Sequence, residues 1–327
     1  MRILITGFTG VQTNTGGSQL EMISNLRSLV EGLKMAGHDV DWRYVCPGED
    51  LSVYEKIIVS INGTGSWVSP FALGALYAMG SRPDALLTCD DWQIHKAFTS
   101  SVEKELGTLW NPKLGRHFHA EAIGDESIKK AIDSAVEELC YIHHRKMLVP
   151  SFMRGDLSLL GLGAPNAVKY DPSPFMDIYE YNPLADKAKM WVSAGLAPKD
   201  SWFKKQPFSW EVEFYGIRKL GQPRVKEAML AQIYSERWGV ISPPHPHAGS
   251  GWFRVRFYMA AQAGCVVYCS DAEGKVIGES YRKTLDVIEA MSEKELAELA
   301  AKQKEELESN LWSKETLSNF LDNFIRT

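Results

Sequence analysis

Two adjacent carboxylates, Asp90 and Asp91, follow directly on the apolar run Ala85 to Cys89. A carboxylate at the end of a buried strand can take the proton from an attacking hydroxyl, which is general-base chemistry. The same pair also suits a turn, since aspartate side chains bond nearby backbone amides. A second set of residues suits an anion. Gly16, Gly17 and Ser18 open an amphipathic run, and glycines before a helix let free N–H groups approach a phosphate. A tight turn would use the same residues, and the loop fits neither GxGxxG nor the P-loop pattern. The third set is SPPHPHAGSGWFRVRFYMAAQAGCVVYCS, residues 242–270. Its loop, with Ser250 and Gly251, leads into a helix bearing Arg254 and Arg256, and guanidinium groups there hold a diphosphate bidentately. His245 and His247 form an HxH pair without an evident third ligand, so loop contacts are favoured over a metal. Finally, Lys199, Lys204 and Lys205 follow a strand pattern ending at Ala194-Gly195. They fit a phosphate site or a solvated basic loop.

These residues need elements to place them. Arg2 to Thr6 reads as a buried strand, and Ser18 to Met35 as a helix with Leu20, Ile23, Leu26, Leu29, Val30 and Leu33 on one face. Ser18 is its candidate N-cap and Gly37 its stop. Strands follow at Val40 to Val45, Lys56 to Ile61, Ala85 to Cys89 and Lys146 to Val149, with helices at Phe71 to Met79 and Ile128 to Cys140. Residues 92–126 read as irregular. The Pro- and Asn-rich stretch Ala164 to Pro183 reads as a crossover between domains. A second set has strands at Lys189 to Ala194, Trp210 to Tyr215, Trp238 to Ser242 and Cys265 to Cys269. Its helices are Val225 to Gln232, Trp252 to Ala263, Ser292 to Asn310 and Lys314 to Phe324. Alternating strands and helices predict parallel doubly wound sheets, whose ligands sit beyond the carboxyl ends of strands. The expected division is 1–175, 176–305 and a terminal helix, 306–327, packing back toward the first domain.

The chain has 327 residues, long enough for two such domains. Its formal net charge of −5 gives none of the global signal of a nucleic-acid binder. A local basic face remains compatible with that total. Five cysteines lack metal-ligand spacing, and Cys89, Cys265 and Cys269 lie in apolar runs, which predicts buried free thiols. No apolar run is long enough for a membrane span. MRILITG reads as a strand rather than a signal peptide, so a cytoplasmic protein is expected.

Four blocks carry a resemblance. GSGWFRVRFYMAAQAGCVVYCS resembles the donor helix of GT-B glycosyltransferases, and GGSQLEMISNLRSLVEGLKMAGHDV their N-terminal Gly-rich segment. VKYDPSPFMDIY and LLTCDDW resemble the crossover and catalytic-base strand of the T-even phage DNA glucosyltransferases. The resemblance implies a GT-B fold, with two Rossmann-like domains facing across a cleft that holds a UDP-sugar, UDP-glucose by default, without a required divalent metal. It implies Asp90 as the base acting on the hydroxymethyl group of a modified pyrimidine in double-stranded DNA. It places Arg256, Lys199 and Lys204 on the diphosphate, with Gly16 and Gly17 facing it from the other domain. Gly216, Pro223 and Arg224 would lie near the nucleotide base. One departure stands out. The retaining relatives carry a pair of glutamates in the donor block, and the matching positions here are Gly251 and Met259. Losing the ribose-holding glutamate, with Asp90 present, points to an inverting reaction.

The acceptor surface expected on this reading is Trp92, Lys113, Arg116, His117, His119, His143 and Arg145, with aromatic side chains as wedges. A phage enzyme of this type would act as a monomer in the host cytoplasm. Two other readings stay open. The acidic net charge favours a small-molecule, lipid-linked or protein acceptor, and the missing glutamates allow a catalytically silent binding module.

Overall fold

The structure, a computed structural model, describes residues 1–7, 19–60, 70–88, 124–139, 145–150, 166–175, 180–182, 186–194, 201–215, 227–244 and 255–327. Two parallel sheets organise it. The first has six strands: β1 (Arg2–Gly7), β2 (Asp39–Trp42), β3 (Lys56–Ser60), β4 (Leu86–Thr88), β5 (Met147–Pro150) and β6 (Ala167–Tyr170). Their lateral order is β2-β1-β3-β4-β5-β6. The runs RILIT and KIIVS are apolar without alternation because helices cover both faces. Leu4, Ile57, Val59 and Leu87 pack against α2 (Pro70–Ser81) and α3 (Glu126–Leu139) on one side. Ile3, Ile5, Ile58 and Leu86 pack against α1 (Gln19–Met35) on the other.

Helix α1 buries Leu26, Leu29, Val30 and Leu33, the spacing expected of one helical face. It stops at Gly37, whose φ of 85° is left-handed. There the His38 amide donates to Leu33 O at 3.2 Å and the Gly37 amide to Lys34 O at 2.9 Å, closing a Schellman turn. Close approach also fixes α2. A Cβ on Gly80 would lie 1.8 Å from Ala131 O of α3, so no larger residue fits that crossing.

Strand β6 departs from the sequence expectation. Residues 167–170 lie in the stretch read as a crossover, yet they pair with β5 from Met147↔Ala167 to Pro150↔Tyr170. The strand is four residues long, at a sheet edge, between Pro165 and Pro172, so its apolar signal is short and punctuated by turn residues. The 3-10 turn Ser173–Phe175 follows it.

The second sheet has four strands: β7 (Ala188–Ala194), β8 (Glu211–Tyr215), β9 (Arg237–Ile241) and β10 (Val266–Tyr268), in the order β10-β9-β7-β8. Helices α4 (Ser201–Lys205), α5 (Glu227–Ser235) and α6 (Val255–Gln262) connect them. Trp191 at the centre of β7 is fully buried and lies over Gly239 of β9, where a Cβ would come within 2.3 Å of the indole. After β10 come α7 (Asp271–Ile277), a 3-10 turn (Glu279–Arg282), α8 (Leu285–Glu289) and α9 (Glu293–Glu308). Helix α4 and the elements between β10 and α9 are additions to the sequence reading.

The chain then crosses back. Helix α10 (Lys314–Arg326) buries Leu317, Leu321, Phe324 and Ile325 against α1 and the first sheet. The Trp312 amide donates to the buried Asp171 carboxylate at 2.7 Å, and His38 Nε2 meets Asp322 Oδ1 at 2.8 Å. No described helix is long and apolar enough to cross a membrane.

Candidate functional site

Strand order locates the crevices. In the first sheet β1 lies between β2 and β3, so sheet growth reverses there and a crevice opens beyond the carboxyl ends of β1 and β3. Residues 8–18, with Gly16, Gly17 and Ser18, leave β1 at that point. In the second sheet the reversal lies between β7 and β9. Residues 195–200 leave β7 there, and residues 242–254 leave β9. Gly195, Lys199, Ser250, Gly251 and Arg254 belong to those segments. Asp90 and Asp91 come just after Thr88, the last residue of β4.

Those residues, together with Gly216, Pro223, Arg224, Trp92, Lys113, Arg116, His117, His119 and His143, lie outside the described ones. Lys204 falls in α4, and nothing further is described of its side chain. Two of the expected site residues are fully described, and they behave differently.

Arg256 is the second residue of α6 and half-buried. Its Nη1 donates to Ile241 O at 3.3 Å. Ile241 is the last residue of β9, so the guanidinium reaches the carboxyl edge of the sheet at the crevice. Among the described residues it has no carboxylate partner. Met259, one turn further along α6, is 2% exposed within the core built around Phe257, Tyr234 and Val240. It offers a ligand no polar group.

Arg145 corrects an expectation. Its side chain is 7% exposed and paired with the Glu138 carboxylate of α3. Nη1 also donates to Ala85 O at 3.1 Å and Arg82 O at 3.3 Å, and Nη2 to Met79 O at 3.1 Å. A guanidinium has five N–H donors, and these bonds occupy them. Arg145 therefore ties the end of α2 and the entry to β4 onto α3, with no donor left for an acceptor phosphate. Its neighbour Lys146 is engaged too, donating to Phe324 O at 2.9 Å and Thr327 Oγ1 at 2.5 Å at the end of α10.

Buried polar groups that sequence reasoning missed cluster at the same strand ends. In the second sheet, Ser242 follows β9 and its hydroxyl donates to Glu273 Oε1 at 3.4 Å. Glu273 is 1% exposed and completes a capping box with Ser270 at the start of α7. The signal was present as Ser-x-x-Glu just after an apolar strand. In the first sheet the apolar runs of β1, β3 and β4 end in Thr6, Ser60 and Thr88, all buried. Gly7 pairs with Ser60, and Ser60 with Thr88, so these residues stand side by side at the carboxyl edge. A Cβ on Gly7 would lie 2.6 Å from Ser60 O and 2.7 Å from its Cβ. Among the described residues the Thr6 and Ser60 hydroxyls have no hydrogen-bond partner.

Two thiols are buried in the second sheet's core. Burial pushes Cys265 up to about 12 and Cys269 well above the usual thiol range, whereas Cys46 is exposed. Among the described residues no group of three or more His, Cys, Asp or Glu could hold a metal ion.

No protein-family model matches the chain, and no curated protein sequence matches it. Solved structures do. T4 phage beta-glucosyltransferase in complex with UDP and Mn2+ overlays with a TM-score of 0.67 at 13% identity, covering 100% of both chains. The DNA-modifying enzyme beta-glucosyltransferase, studied with and without uridine diphosphoglucose, gives 0.64 at 12%, again over 100% of both chains. An alpha-glucosyltransferase in complex with UDP-glucose and DNA containing an abasic site gives 0.54 at 10%, also over 100% of both. The chain has the GT-B fold, with parallel sheets of six and four strands.

Proposed function

We propose that the chain is a UDP-sugar-dependent glycosyltransferase that passes its sugar to the hydroxyl of a 5-hydroxymethyl pyrimidine in double-stranded DNA, with inversion. The observation that carries this reading is the overlay on T4 phage beta-glucosyltransferase bound to UDP, with a TM-score of 0.67 over the whole chain. The second crevice is the donor side. Arg256 there, joined by Lys199, Lys204 and Arg254, holds the diphosphate as negative charge grows on it during transfer, the logic of an oxyanion hole. Gly16, Gly17 and Ser18 approach from the other sheet. Gly216, Pro223 and Arg224 lie toward the nucleotide base.

On the acceptor side Asp90 removes the proton of the attacking hydroxyl as its oxygen reaches the anomeric carbon. What supports this assignment is that Asp90 comes two residues after Thr88, which ends β4 at the sheet's carboxyl edge. The modified base must leave the helical stack to reach it. Trp92, Lys113, Arg116, His117, His119 and His143 are the side chains assigned to that task. Arg145 is no longer among them.

The test is sugar transfer from labelled UDP-glucose to hydroxymethylcytosine DNA, with unmodified DNA as control and with chelator or Mn2+ added in parallel. Transfer is expected only to modified DNA and without a divalent ion, and to be lost in Asp90→Ala. Undiminished transfer by Asp90→Ala would remove the base assignment. Binding of UDP-glucose without transfer to any DNA would favour a small-molecule, lipid-linked or protein acceptor, the reading that the net charge of −5 supports.

A further inference from the structure

We propose that Tyr268 is a positioning residue of the donor site: it fixes the short helix α4, and through it Lys204, at the carboxyl edge of the second sheet. This deepens the glycosyltransferase reading and rests on its assignment of Lys204 to the diphosphate. Tyr268 is the last residue of β10 and pairs with Ile241 of β9. Ile241 O is the acceptor that receives Arg256 from α6. Along β10, Val267 packs with α6, while Val266 and Tyr268 pack with Trp202 and Phe203 of α4. Alternation along the strand puts these on opposite faces, so α4 and α6 flank one edge of the sheet.

Helix α4 cannot hold itself there. It has five residues, far below the length at which a helix persists alone in water. Three contacts place it. The Trp202 ring stacks on Tyr268, with centroids 5.7 Å apart and planes at 23°. Phe203 is buried and meets Phe214 of β8 edge-on at 5.6 Å. Strands β10 and β8 are the outer two of the sheet, so these anchors sit on opposite margins. The third contact is polar. The Tyr268 hydroxyl donates to Gln206 Oε1 at 2.8 Å, and Gln206 Nε2 donates to Trp202 O at 3.3 Å. The Gln206 amide donates to Phe203 O at 3.2 Å. Gln206 thus satisfies two carbonyls that the end of a helix leaves open, and Tyr268 holds Gln206. Stacked rings slide and turn on one another, whereas a hydrogen bond is directional. The hydroxyl therefore fixes the register of α4, a task phenylalanine could not perform at that position. Lys204 stands between the buried Phe203 and the exposed Lys205, inside the segment so clasped. Placement matters there, because a shift of about 1 Å in a group that acts on the reacting atoms can cost about a hundredfold in rate.

The experiment titrates UDP and uridine calorimetrically into wild type, Tyr268→Phe, Lys204→Gln and the double variant, with urea unfolding to establish that each is folded. Tyr268→Phe keeps the ring and its stack on Trp202. It should bind UDP about fivefold more weakly, the worth of one neutral hydrogen bond, and bind uridine as wild type does. Lys204→Gln should lose about tenfold on UDP, the worth of a hydrogen bond to a charged group. The double variant should bind UDP no more weakly than Lys204→Gln, because Tyr268 acts through that lysine. Gln206→Met breaks the clasp from the helix side and should reproduce the Tyr268→Phe loss; should Tyr268→Phe not fold, Gln206→Met takes its place in the cycle. UDP affinity unchanged in Tyr268→Phe overturns the positioning role, as does equal weakening for uridine. Losses that add in the double variant overturn it too, and leave Tyr268 a support of the fold alone. If Lys204→Gln binds UDP as wild type does, the route through Lys204 is overturned while the glycosyltransferase reading stands. Wild type that binds no UDP overturns both.

Discussion

Replacing Arg145 by methionine separates a structural strut from a DNA contact. The bonds from Nη1 to Ala85 O and from Nη2 to Met79 O are buried, and both carbonyls lose their partner. An unsatisfied buried acceptor costs about 1–3 kcal/mol. Arg82 O is part-buried, so water replaces much of its bond. Glu138 is 31% exposed and keeps access to water once unpaired, which limits its share to about 1 kcal/mol. Methionine fills most of the space left by the guanidinium stem. The terms add to a loss of about 3 kcal/mol or more, concentrated where α2, β4 and α3 meet. Urea unfolding measures the total, and hydrogen exchange resolved by peptide measures the place. Amides of β4 and β5 should exchange faster, while those of β7 and β9 keep their rates. A loss below about 1 kcal/mol would refute the strut. Weakened DNA binding at full stability would return Arg145 to the acceptor surface.

Three further outcomes follow from the same geometry. Gly239→Ala should destabilise the second sheet by about 1–3 kcal/mol, since its Cβ would come within 2.3 Å of the Trp191 ring; an unchanged urea midpoint would mean the indole yields freely. Burial raises the Asp171 carboxyl above its ordinary 3.8, outweighing the Ser173 and Trp312 amides that pull it down. A folded-state pKa above the unfolded one adds stability below the unfolded value and loses it as pH rises through the folded one. Wild type should therefore lose stability relative to Asp171→Asn as pH climbs from 3.8, and a pH-independent difference in urea titrations would contradict this. Cys46 should react with a thiol reagent in the native protein, while Cys265 and Cys269 react only after unfolding; native labelling of either buried thiol, read by peptide mass, would overturn their placement.

The central strands of both sheets were legible because parallel strands buried on both faces leave continuous apolar runs. Arg2–Gly7, Lys56–Ser60 and Arg237–Ile241 show this directly. Edge strand β6 was not, since four residues between prolines look like a linker. The short helices α4, α7 and α8 carry too few turns for a periodic signal. Lateral strand order was beyond the sequence, because it depends on which side of β1 each crossover lands. Yet that order is what puts the carboxyl ends of β1, β7 and β9 at crevices. His143 and Arg145 read together as acceptor-surface residues. Arg145 and its neighbour Lys146 are instead spent on partners distant in sequence, Met79 and Phe324, which no local pattern announces.

That loss changes what DNA binding should look like. With Arg145 and Lys146 committed to carbonyls, the constitutive cations left in the acceptor set are Lys113 and Arg116. Each phosphate neutralised on duplex DNA contributes about −0.9 to the slope of log affinity against log salt, so the slope at neutral pH should be about −2. His117, His119 and His143 carry the rest of the set's capacity for charge, and an unperturbed imidazole gains its proton near pH 6.5. The slope should therefore steepen on acidification, toward about −4 or −5 if all three engage. Fluorescence anisotropy on a hydroxymethylcytosine duplex, across a potassium chloride series at two pH values, measures both quantities. A neutral-pH slope near −6 would place the DNA on a different basic face. A slope of −2 that ignores pH would keep the two cations and remove the histidines. A chain with net charge −5 can thus hold DNA through few charges, provided that the flipped base and the stacking aromatics supply the remaining affinity.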